Sequence, residues 1–137
     1  MLLASYGGPF ARDAIAEALR TSEGQPVAVI VIARIYGSAF GLPNPGLLPT
    51  GKELAEQQRK VQTAIAAIES QGQEAWGQVA ASRRPARTIV KAARARGVQT
   101  IVLSVPPAPR WRRLVEGDPA REVQRRAGTG ISVHPVP

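Results

Sequence analysis

From Val27 to Ile35 the chain reads VAVIVIARI, and no polar residue interrupts this run before Arg34. A strand with one face in water alternates apolar and polar side chains, whereas a run without alternation suits a strand covered on both faces, as in a parallel sheet packed between helices. VQTIVLSV, from Val98 to Val105, has the same character, and the shorter LLAS from Leu2 to Ser5 is apolar until Gly7-Gly8-Pro9 turns it. QEAWGQVAA is a weaker strand whose glycine suits a sheet edge better than a centre. ISVHPV from Ile131 supplies a last short strand.

Between these runs the period changes to that of a helix. Ala11, Ala14, Ile15, Ala18 and Leu19 recur on one face, with Arg12, Asp13, Glu17 and Arg20 opposite. Lys52 to Gln71 places Leu54, Val61, Ile65 and Ile68 on one side and meets Gly72 as a stop. Pro85 opens a third helix through Arg96, with Ala86, Ile89, Val90 and Ala93 inward and Gly97 past its end. A fourth runs from about Pro119 to Ala127. Tyr36 to Gly51 is too rich in glycine and proline for a regular element.

The order β-α-β-loop-α-β-α-β-α-β predicts one α/β domain over residues 1–137. Its expected form is an open five-stranded, mainly parallel sheet flanked by helices on both faces, with right-handed crossovers. In such a sheet ligands bind beyond the carboxyl ends of the strands where the strand order reverses. That points to the loops after the first and fourth strands.

Composition narrows the chemistry. There are no cysteines and one histidine, His134, so disulfides, thiolate metal sites and a catalytic histidine pair are excluded. The longest apolar run, Pro26 to Ala33, is far short of the ~20 residues of a membrane span. No membrane insertion and no secretory signal are expected, and a cytoplasmic location is the default expectation. Residues 1–81 hold 6 basic and 7 acidic side chains, while residues 82–137 hold 12 and 3. Solvated arginine-rich helix faces account for such a block, and nucleic acid is not the expected partner because no aromatic-rich strand alternates with the arginines.

Three local patterns then converge. They are LLASYGGP at the start, SRRPARTIVKAARARGVQTIVLS through the third helix and fourth strand, and GDPAREVQRRAGTGISVHPV at the end. Together with the element order they make the chain resemble the universal stress protein family along essentially its whole length. The resemblance implies a Rossmann-like, adenine nucleotide alpha hydrolase-like fold, a homodimer joined through the last strands, and no single shared reaction. It also implies an ATP site in many members, built from Gly, two residues, Gly, nine residues, Gly and then Ser or Thr after the fourth strand. The glycines bring the backbone close to phosphate, and the next helix start completes an anion site.

Aligned on Gly117, that motif puts Ser104 and Pro107 at the two earlier glycine positions and Asp118 at the hydroxyl position. Tyr6 stands where ATP-binding members have an aspartate. Pro107 stiffens the loop and lacks an N–H, and Asp118 places a carboxylate where phosphate would sit on the helix dipole. No cofactor, ATP included, is therefore expected in the family's usual mode. Gly117, Asp118 and Pro119 still provide a helix start. The alternative is a nucleotide or small-anion site using the backbone of Gly7 and Gly8 with Arg110, Arg112 or Arg113. No metal constellation, nucleophile elbow or acid-base pair stands out, so the expected role is non-enzymatic and regulatory, exercised through a homodimer or a protein partner. Pro135 and Pro137 would make any pairing of last strands short or displaced.

Overall fold

The structure, a computed structural model, describes residues 1–35, 50–105 and 117–137. Five strands, β1 (Leu2–Ser5), β2 (Val27–Arg34), β3 (Ala75–Ser82), β4 (Thr100–Ser104) and β5 (Ser132–Val136), form one sheet in the order β3-β2-β1-β4-β5. All four pairings are parallel. The chain adds β2 and β3 on one side of β1, then crosses to add β4 and β5 on the other. The order therefore reverses at the β1–β4 pair, as the alternating pattern predicts.

Four described helices, α1 (Arg12–Ser22), α2 (Gly51–Glu69), α3 (Pro85–Ala95) and α4 (Pro119–Ala127), cover the sheet in two layers. Alternate side chains of the central strands feed two separate cores. Leu3, Val29, Val31 and Val102 pack with Ala14 and Ala18 of α1 and Val61, Ala64 and Ile68 of α2. Leu2, Ala4, Ile30, Ile32, Ile101 and Leu103 pack with Ile89, Val90 and Ala93 of α3 and Val123 of α4. This is why β2 is apolar throughout: both its faces are inside.

β3 is an edge strand, as its glycine suggested, and Gly77 has a more specific reason to be there. A Cβ at Gly77 would stand 2.5 Å from the Val29 carbonyl oxygen and 2.9 Å from Val61 Cγ1. The second helix departs from expectation at its start. Leu54 is 38% exposed rather than inward, because residues 51–56 are all exposed and the buried face begins only with Val61. That overhanging start is held by a capping box in which the Thr50 hydroxyl accepts from the Glu53 N–H and the Glu53 carboxylate accepts from the Thr50 N–H. Most of the glycine- and proline-rich stretch between β2 and α2 lies outside the described residues.

Candidate functional site at the strand-order switch

Ser5 and Ser104 end β1 and β4 side by side in register, and both are buried. Beyond Ser5 the chain turns through Tyr6, Gly7 and Gly8 into α1. Ser5 Oγ donates to the Gly8 carbonyl at 2.6 Å, so the hydroxyl is used to tie the turn. Gly7 has φ +105, and a Cβ there would lie 3.1 Å from the Ile32 carbonyl oxygen. Both facts call for glycine. Lys60 of α2 donates its Nζ to the Gly7 carbonyl at 2.7 Å, and Gln57 lies over the same glycine. Gln57 Oε1 is buried and has no hydrogen-bond donor among the described residues.

Tyr6 leaves the turn on the opposite side and packs against the core beneath α3 and α4. Burial pushes its phenol up to about 12, the Glu122 carboxylate adds to the rise, and Arg34 and Arg126 oppose it. Tyr6 is thus a neutral, half-buried group at neutral pH, where an aspartate would carry a charge. On the β4 side Gly117 takes φ +85 and delivers the chain to Asp118, the N-cap of α4. Asp118 Oδ1 accepts from the amides of Ala120 at 3.0 Å and Arg121 at 3.4 Å. The donors that a phosphate would use at this helix start are already occupied by a carboxylate.

Tyr6, Gly7 and Gly8 thus follow directly from the β1 end that lies beside Ser104 of β4, while Gly117 and Asp118 stand at the start of α4. Pro107 and Arg110, with Arg112 and Arg113, lie outside the described residues. Sequence reasoning missed Lys60 and Gln57, which lie fifty or more positions beyond Gly7 on α2, and no local motif announces them. It also missed Glu122, which reaches Tyr6 electrostatically from the α4 side. His134 is placed in β5, where its Nδ1 lies 3.0 Å from Glu17 Oε1 of α1. Among the described residues no cluster of His, Asp or Glu could hold a metal ion, and no helix is long and apolar enough to cross a membrane.

The architecture superposes closely on solved structures. A universal stress protein from Archaeoglobus fulgidus matches with a TM-score of 0.70 at 18% identity, over 98% of this chain and 92% of that one. The fold is that of the universal stress proteins. A member of that family from Burkholderia pseudomallei matches at TM-score 0.69 and 18% identity, over 99% and 94% of the two chains. An Archaeoglobus fulgidus universal stress protein in complex with dAMP matches at 0.64 and 17%, over 98% and 94%. No protein-family model matches the chain, and no curated protein matches it. At such identities the likeness to the universal stress protein structures is one of fold, and the use made of the switch point has to be argued from this chain's own groups.

Proposed function

We propose that this chain is a non-enzymatic, regulatory domain of universal stress protein type whose ATP site has been closed by its own side chains. The observation that carries this reading is Asp118, which takes two of the α4 amides and sets a negative charge on the positive end of the helix. Tyr6 supports it by setting a neutral phenol after β1, where an aspartate would carry a charge. Calorimetric titration with ATP and magnesium is expected to give no heat of binding, and micromolar affinity would overturn the reading. Replacing Asp118 with Ser retains an N-cap while removing the charge. If the carboxylate is what bars phosphate, Asp118→Ser gains measurable nucleotide affinity without loss of stability beyond a few tenths of a kcal/mol.

A second reading, a nucleotide or small-anion module, draws on the start of α1. Its N-cap, Ala11, supplies no side-chain hydrogen bond to the first turn of α1, which follows the Gly7-Gly8 turn in the chain. One structure of the same fold holds dAMP. Mass spectrometry of the protein as purified separates the readings, because a retained ligand adds mass under non-denaturing conditions.

A further inference from the structure

We propose that the outer face of α3 and α4 docks an acidic segment of a protein partner. The charge imbalance of the sequence becomes, in the fold, a difference between the two helical layers. α1 and α2 hold five basic and five acidic residues, whereas α3 and α4 hold six basic and one acidic. No carboxylate occurs in the sequence between Glu74 and Glu116.

Arg87, Lys91 and Arg94 fall at i, i+4 and i+7 and so share one side of α3. With Arg126 of α4 they rim an open groove of about 740 Å³ whose remaining lining is Val90 and Ala95. The single acidic residue of the layer, Glu122, is engaged by Arg125 at 2.7 Å and by Arg126 at 2.7 Å. Arg94 is partly committed to the end of α4, donating to the Arg126 carbonyl at 2.9 Å. Arg87 and Lys91 have no carboxylate partner among the described residues. Lys91 also lines a smaller groove of about 310 Å³ on the other side of α3, with Gln78, Thr88 and Arg96. The exposed ridge of α3 is therefore cationic on both flanks.

Cations around an apolar floor match a segment whose carboxylates flank one or two apolar side chains, and such complementarity sets both encounter rate and register. A nucleic acid strand fits less well. Among the described residues the large exposed ring on this side of the sheet, Trp76, already has the Arg96 guanidinium 3.5 Å over its centre, so that face is unavailable for a base. The inference stands whether or not nucleotide binds at the switch point, since Arg87, Lys91 and Arg94 take no part in it and only Arg126 acts on Tyr6 from the groove.

The test is fluorescence anisotropy of the full chain with three labelled probes: a glutamate-rich peptide carrying two central leucines, the same peptide with serines for leucines, and an oligouridylate of equal charge. The leucine peptide should bind best and weaken with rising salt. The double variant Arg87→Glu, Lys91→Glu should lose about tenfold in affinity, as expected where rim charges set the encounter. Arg12→Glu, Lys52→Glu reverses the same charge on the opposite layer and should leave binding unchanged. Circular dichroism of both variants checks that they fold. Absence of peptide binding, equal loss in the two variants, or tighter binding of the oligouridylate would overturn the proposal.

Discussion

Gly77 lacks a side chain because β2 and α2 leave no room for one. A methyl group there would meet backbone oxygen and a fully buried valine, neither of which can swing aside. Gly77→Ala is therefore expected to destabilise by about 1–3 kcal/mol, the usual result of overpacking, visible as a lower midpoint in urea at unchanged slope. Tyr6 makes a prediction in pH instead. Its pKa is higher in the folded chain than the ordinary value of 10.0. The neutral form is favoured by folding, so its contribution is whole below pH 10 and is lost as pH rises toward about 12. The alkaline limb of a denaturation curve should flatten in Tyr6→Phe, and tyrosinate absorbance of a Tyr36→Phe variant should show Tyr6 ionising late. Glu17 works in the opposite sense, since its hydrogen bonds to Arg20 and then His134 lower its pKa to about 2. That contribution is present above the ordinary carboxylate range and disappears as pH falls to about 2. Acid unfolding of Glu17→Gln should accordingly be shallower than that of the parent.

Among the elements, β5 shows how an edge strand is closed. Ser132 donates inward to the Gln99 carbonyl and Val136 accepts inward from Val105, which turns the backbone of Val133 and Pro135 outward. The outward N–H of Val133 goes to Gln124 Oε1, while Gln124 Nε2 donates to the carbonyls of Gly128 and Ile131. Pro135 has no N–H to offer. One glutamine and one proline thus remove the donors that a further strand would need. Gln124→Ala should cost about 0.5–1.5 kcal/mol, the net worth of hydrogen bonds whose freed groups turn to water, and should raise amide exchange at Val133 in particular. α2 gives the complementary case of a helix end held locally, and Thr50→Ala should cost about 1 kcal/mol with the loss confined to fraying before Gln57.

At the scale of the whole molecule the two sheet edges differ. β3 spans eight residues, and its inward bonds at Glu74 and Ser82 leave Ala75, Gly77, Val79 and Ala81 facing away from β2 with no backbone partner among the described residues. A homodimer built by extending the sheet would find its free donors on β3 rather than on the last strand, and we propose β3 as that edge. Ala81→Pro removes one outward donor without touching the β2 ladder. Sedimentation equilibrium should show the variant shifted toward monomer, and a dimer of unchanged strength would place the interface elsewhere. The same view explains the charge. Among the described residues the basic half of the chain supplies both helices of one layer, because the crossover from β3 to β4 runs through α3 on that face and α4 packs beside it.

Strand and helix order, the parallel sheet and the reversal at β1 and β4 could all be read from VAVIVIARI, VQTIVLSV and the helical periods, since burial on two faces leaves an unbroken apolar run that nothing else requires. Asp118 could be read as a cap, because capping depends on neighbours within three positions. Leu54 was misread because periodicity reports which residues share a face, not whether the sheet extends beneath them. Lys60, Gln57 and Glu122 were invisible at the switch point because each arrives from an element distant in sequence. The sequence by itself determined the elements and their order, which arise from local and periodic forces. Only the tertiary structure decided which polar groups satisfy one another at the switch point, which edge stays open and where the arginines gather, because those follow from contacts between segments that no spacing records.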